Sequence, residues 1–237
     1  MNDRSSERSF LTPNTEKRLL QLLQQIGIMF GGQIQAHKIL HHTPRTARTI
    51  LARLKKEYKI VEHTMTVGGK DYRIYTLGPR GAVTLGVSYR PDYWLNYTDS
   101  ETVQRLMAVD LYMRMCDYLS ASLIVRASES PYIFTFVHGD KAYQVGVVWD
   151  NAVQFSETYR WSPPKERVIL VCQSINQVND LLKHLEEYTP IRITTRNKLR
   201  EGLVFYKPEN GRWVLDIPER QIKTKIRIVH KHRILLP

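Results

Sequence analysis

Between Thr15 and Leu77 the apolar pattern changes its period, and that change limits the folds open to the chain. Leu19, Leu22, Leu23 and Ile26 recur at spacings of three and four behind a cap at Asn14 or Thr15, which predicts a first helix over residues 15–29. Gly31-Gly32 is expected to break it, and residues 33–40 read as a second short helix with Ile34, Ile39 and Leu40 turned inward. Thr43 is a natural N-cap and Pro44 suits the first helical position, where no N–H is required, so a third helix is predicted over residues 45–58. From Ile60 the period drops to two. Ile60–Val67 and Lys70–Leu77 are rich in β-branched and aromatic residues around Gly68-Gly69, a turn that permits positive φ.

Three short helices followed by a tight hairpin predict a winged helix-turn-helix, a domain that places its third helix in a DNA major groove. Ala47, Ile50, Leu51 and Leu54 form the expected buried stripe of that helix. Arg45, Thr46, Arg48 and Thr49 lie away from the stripe on the N-terminal half, where short and long donors reach base edges. Arg53 and Lys56, a turn or two later, are placed for phosphates, as are Lys70 and Arg73 in the wing. The competing structural reading is an ordinary solvated helix face, or a winged helix used for protein contacts.

Charge follows the same division. The chain of 237 residues carries a formal net charge of +12, from 35 Lys+Arg against 23 Asp+Glu. Residues 1–80 hold 14 basic and 6 acidic groups, residues 81–190 hold 9 and 13, and residues 191–237 hold 12 and 4. Two basic ends flanking an acidic middle point to a polyanionic partner rather than to general solubility. No apolar run is long enough for a membrane span, and the charged stretch Met1–Ser9 lacks the apolar core of a secretory signal, so a cytoplasmic protein with no membrane partner is expected. Cys116 and Cys172, each among apolar residues, read as free thiols that behave as small hydrophobes, which fits a reducing compartment.

Gly78-Pro79-Arg80-Gly81 punctuates the chain, and a boundary near residue 85 is predicted, giving domains 1–85 and 86–237. In the second domain residues 99–119 read as a long helix with Val103, Leu106, Met107, Leu111, Met115 and Leu119 on one side. Strands are expected at 123–126, 132–137, 142–149, 167–172, 191–194 and 203–206, with a turn at His138-Gly139-Asp140-Lys141 and a helix over 176–188. The fold class expected is therefore α+β, an N-terminal winged helix-turn-helix followed by an α/β-type domain with a mixed sheet. In residues 221–236, Lys223, Lys225, Arg227, Lys231 and Arg233 share one parity, opposite Ile222, Ile226, Ile228 and Ile234. Extended, they form one basic face, read equally as a second nucleic-acid contact or as an edge strand kept soluble by its cations.

Catalytic motifs are weak by comparison. His230 and His232 have the spacing with which relaxases hold a metal on a strand, but Lys231 sets a like charge between them. His37, His41 and His42 include an i, i+4 pair with no carboxylate or cysteine in ligand spacing. The one Glu-x-Lys tripeptide a restriction-type nuclease would need, Glu57-Tyr58-Lys59, ends the presumed DNA-reading helix. Asp140, Asp150, Glu157 and Glu166 read as scattered surface charge, and no phosphate-binding loop, dinucleotide fingerprint or nucleophile elbow is present. No catalytic residue, metal or cofactor is expected.

The layout resembles the replication-relaxation family of plasmids, phages and integrative elements. The resemblance rests on Thr43-Pro44-Arg45-Thr46-Ala47-Arg48 leading into Leu51-Ala52-Arg53-Leu54, the wing ending Tyr75-Thr76-Leu77-Gly78, the helix around 107–115 and the strand pair 132–137 and 143–150. Where members carry an acidic pair at a strand end this chain has Val147-Val148-Trp149-Asp150, so only Asp150 corresponds. The resemblance implies DNA binding in replication, transfer or control of a mobile element rather than a defined reaction.

The reading is thus a sequence-specific binder of double-stranded DNA, not an enzyme, expected as a homodimer because one winged helix reads only a short site. A replication or transfer protein is the expected further partner. Two alternatives stand beside it. One is a ligand-sensing transcriptional regulator whose site is lined by Tyr89, Tyr93, Trp94, Tyr97, Trp149, Tyr159 and Trp161; the other is an enzyme that nicks or processes DNA through His230 and His232 or Asp150.

Overall fold

The computed structural model describes residues 14–36, 43–67, 69–119, 123–164, 166–185 and 190–216, and the protein is α+β with a mixed sheet. The chain opens with α1 (Asn14–Ile26), whose Leu19, Leu20, Leu22, Leu23 and Ile26 are buried. It ends earlier than its periodicity predicts. Gly27, at φ 96°, breaks the helix in place of Gly31-Gly32, and a Cβ there would stand 2.5 Å from the Tyr97 hydroxyl oxygen. Strand β1 (Met29–Phe30) follows, and Gly31-Gly32 opens the short helix α2 (Gly31–Ala36) rather than closing α1. Ile39, Leu40, His37, His41 and His42 lie outside the described residues.

Helix α3 (Pro44–Lys56) begins where the Thr43-Pro44 pair places it, with Thr43 as N-cap at φ −62° and ψ 156°. Ala47, Leu51 and Leu54 are buried beneath it. The helix stops at the Glu57 C-cap, and Tyr58 turns the chain at φ 54° into β2 (Ile60–Val67). Strand β3 (Lys70–Leu77) returns antiparallel, pairing Val67 with Lys70 and Ile60 with Leu77, and β1 adds to its free edge through Met29 and Tyr75. The segment read as punctuation is a helix, α4 (Pro79–Leu85), with Gly78 as N-cap. It needs its glycines for close approach, since a Cβ on Gly81 would sit 2.2 Å from the Lys59 carbonyl oxygen.

Beyond Gly86 a 3-10 turn, Tyr93–Asn96, leads into α5 (Asp99–Leu119), the longest helix described and the one whose ends match the expected bounds. Its burial is wider than one stripe: Ala108, Val109, Tyr112 and Met113 are buried along with Leu106, Met107, Leu111 and Met115. A helix apolar nearly all round is covered on more than one side. Here α1 and β1 pack against it, and so does the larger sheet. The buried side chains from Leu19 to Leu203 accordingly join in one core across residue 85.

Among the described residues the second sheet has seven strands, in the order β10-β9-β8-β7-β6-β5-β4. Strands β4 (Ile124–Ala127), β5 (Phe134–His138) and β6 (Lys141–Val148) form an antiparallel meander, with Gly139 at φ 62° in the tight β5–β6 turn. Helix α6 (Ala152–Trp161), which sequence periodicity misses, crosses over so that β7 (Arg167–Cys172) lies parallel to β6. The segment expected as an α-helix is a 3-10 helix, Ile175–His184, and it leads to β8 (Ile191–Thr195), parallel to β7. Helix α7 (Arg196–Glu201) and the hairpin β9 (Phe205–Glu209) and β10 (Arg212–Asp216) complete the described chain.

Both faces of the central strands are covered, which is why they read as continuous apolar runs. Val145, Val147, Ile169 and Val171 face the core that contains α5 and Leu199 of α7. Val148, Val168, Leu170 and Cys172 face the core that holds Phe155 and Tyr159 of α6 and Val178 and Leu181 of the 3-10 helix. Among the described residues no helix is long and apolar enough to cross a membrane.

Candidate nucleic-acid interface

Helix α3 is built to present its N-terminal half. The Thr43 side chain accepts a hydrogen bond from the Thr46 amide at 3.3 Å, and the two threonine hydroxyls lie 3.0 Å apart, so the first turn is fixed by its own residues. Thr49 donates its hydroxyl to the Arg45 carbonyl at 3.3 Å. Because Ala47, Leu51 and Leu54 claim the inner face, the helical repeat sends Arg45, Thr46, Arg48 and Thr49 outward, and all four are exposed.

The C-terminal half of α3 is different. Arg53 is exposed but bound: it donates to Glu16 of α1 and, at 3.4 Å, to Glu57. Lys55, which sequence reasoning passes over despite the Lys55-Lys56 pair, bridges to Glu62 of β2 at 3.2 Å, and Lys59 meets Glu57 at 2.9 Å. Burial raises the Glu57 carboxyl, yet Lys59 and Arg53 outweigh it and hold the group below the usual carboxylate range. The Tyr75 hydroxyl, 2.8 Å from Glu62, does the same for that carboxylate with help from Lys55. Burial and the bond to Glu62 in turn push the Tyr75 hydroxyl up to about 12.

Cationic charge on the second half of α3 is therefore partly neutralised by carboxylates of its own neighbourhood. Arg45, Lys56 and Lys70 form no ion pair within the described residues, and Lys56, Lys70 and Arg73 are all exposed. Lys70 stands at the first position of β3 beside the Gly69 turn, and Arg73 lies opposite Thr64 of β2. The candidates thus fall into two groups, four side chains on the first half of α3, and Lys56 at its end with Lys70 and Arg73 on the hairpin, while Arg53 is drawn inward as a brace. Lys223, Lys225, Arg227, Lys231 and Arg233 lie outside the described residues, as do His230 and His232.

The aromatic residues expected to line one ligand site are dispersed. Tyr89, Tyr93 and Tyr97 share a cavity of about 470 Å³ beside Gly27, whereas Trp94 packs on His63 with ring centroids 4.5 Å apart. Trp149 lies under the Arg196 guanidinium, Tyr159 is in the core, and Trp161 is 79 % exposed on α6. Asp150 sits at the C-terminal end of β6 in a polar cleft of about 600 Å³, where it accepts from Ser100 and, at 3.4 Å, from Gln104 of α5. Asp140 is in the β5–β6 turn, Glu157 on α6 and Glu166 just before β7. Among the described residues no three His, Cys, Asp or Glu side chains converge as metal ligands would. Comparison with known proteins gives no match, either to a protein-family model or to a curated sequence.

Proposed function

We propose that the protein is a sequence-specific binder of double-stranded DNA, with α3 as the recognition helix and the β2–β3 hairpin as the wing. The observation that carries this reading is the outward row Arg45, Thr46, Arg48 and Thr49 on a helix whose opposite face is fixed by Ala47, Leu51 and Leu54. A rigid helix that offers two guanidinium groups and two hydroxyls from its N-terminal half matches what base edges in a major groove accept. Lys56, Lys70 and Arg73 are read as phosphate contacts that set register without reading sequence. The reading extends to a cytoplasmic homodimer acting in replication, transfer or transcriptional control of a mobile element, with kinship to the replication-relaxation family. It assigns no catalysis.

Fluorescence anisotropy with duplexes from the protein's own locus tests the proposal on the full chain. Arg45→Ala and Arg48→Ala should each cost about 1–3 kcal/mol of discrimination between the preferred duplex and a scrambled one. Unchanged discrimination in both variants rejects α3 as the reading element, and absence of binding at low ionic strength rejects the function.

A further inference from the structure

A cavity of about 680 Å³, larger than either of the two described above, opens at the opposite end of β6 from Asp150. It lies between the last turns of α5 and the first residues of β7 and β8. Met115 and Leu119 of α5, Ile169 of β7 and Phe205 of β9 give it an apolar bed. Tyr143 of β6 forms a fixed wall, stacked on Phe136 with centroids 4.9 Å apart and planes 11° from parallel.

The rim is cationic. Arg167, Arg192 and Lys207 line the opening together with His138, and among the described residues Glu209 is the one carboxylate lining it. Two of these charges are already answered, because Arg192 donates to Asp216 and Lys207 pairs with Glu209 at 3.2 Å. Arg167 is exposed, forms no ion pair within the described residues, and holds its guanidinium 5.9 Å from the Tyr143 ring centroid. A concave apolar bed of this volume, with one guanidinium at its mouth that no described carboxylate answers, is complementary to a small molecule with an apolar body and one negative charge.

We propose that this cavity is a binding site for a small amphipathic organic anion, whose apolar body rests on Met115, Leu119 and Phe205 and whose charge meets Arg167. The site does not depend on whether α3 reads DNA. Cations that serve only to solubilise a sheet end do not require a recess of drug-like size behind them.

The test uses the full chain with 8-anilinonaphthalene-1-sulfonate as fluorescent probe and two ten-carbon competitors below their micelle-forming concentrations, decanoate and decyltrimethylammonium. Decanoate should displace the probe and raise Tm, and the cation should do neither. Arg167→Ala should weaken decanoate about tenfold, the loss expected for one charged partner, while Arg167→Lys stays within about threefold. Leu119→Trp, which narrows the apolar bed and leaves the cation in place, should weaken decanoate at least about tenfold; it also decides the matter if Arg167→Ala does not fold. Equal displacement by both competitors, or binding unaltered in Leu119→Trp, overturns the proposal.

Discussion

Arg53 of α3 reaches across to Glu16 of α1, a carboxylate whose side chain is only 2 % exposed, and joins two helices that begin thirty residues apart in the chain. The second oxygen of Glu16, Oε2, is buried without a hydrogen-bond partner among the described residues, so Arg53 is what keeps this carboxylate tolerable in the core. Removing Arg53 alone strands a buried charge. Arg53→Ala should therefore destabilise the protein by about 1–3 kcal/mol in urea titration, and the double variant Glu16→Leu with Arg53→Leu should recover most of that loss. A double variant no more stable than Arg53→Ala would show that the pair does not act as a unit.

On the proposed DNA-binding reading, exposed cations with and without a local carboxylate partner should separate in salt dependence. Lys56→Ala and Lys70→Ala remove charges that no described carboxylate answers, so each should lower the slope of log K against log salt by about 1 while weakening preferred and scrambled duplexes alike. Lys55→Ala, already paired with Glu62 at 3.2 Å, should change the slope less. Equal slopes for all three variants would mean that local pairing does not govern which cations meet phosphate.

His63 on β2 supplies a pH response. Its ring packs on Trp94 and its Nε2 lies 2.9 Å from the Thr76 hydroxyl. Burial pulls its pKa below the ordinary imidazole value, with Asp92 opposing. The unfolded chain then takes up the proton first, so stability is fullest above about pH 6.5 and falls as pH drops through that value toward the folded one. Tm should decline between about pH 7.5 and 5.5, and His63→Gln should flatten that part of the profile. An identical decline in the variant assigns the effect to another group.

Gln33 fastens the first half of the chain to α5. Its amide nitrogen donates to the Leu106 carbonyl and to Asp110, both at 2.8 Å, and its oxygen accepts from the Phe30 amide at 3.0 Å. Gln33→Leu leaves those buried partners unmade and should cost about 1–3 kcal/mol. Arg105, donating to the Ile26 carbonyl at 2.7 Å, ties the same two parts, so unfolding of the variant should remain one transition by circular dichroism and tyrosine fluorescence. Two separated transitions would show that the halves melt independently.

Local signals were legible where a single residue type had only one good use. Thr43-Pro44 marks the start of α3 because a hydroxyl cap and a residue without an N–H fit that junction and little else, and a short continuous apolar run rich in β-branched residues marks β7. Helix α6 was not legible because only Phe155 and Tyr159 face inward, too few to set a period. The Asn210-Gly211 turn, both residues at positive φ, carries a strong hairpin signal that the sequence reading overlooks. Within the candidate site, exposure of the α3 row follows from helical spacing alone. That Arg53 is bound and Lys56 is not depends on Glu16, 37 positions earlier, and no local pattern announces such a partner.

Helix α5 is wrapped by neighbours drawn from both sides of residue 85, and this bears on how such a gene can change. A crossover at that seam would hand each product a strut cut to fit a different companion, so the portion that holds α1 to α4 and the sheet portion are expected to be inherited together. Modules that travel singly have their own floor; these two share one.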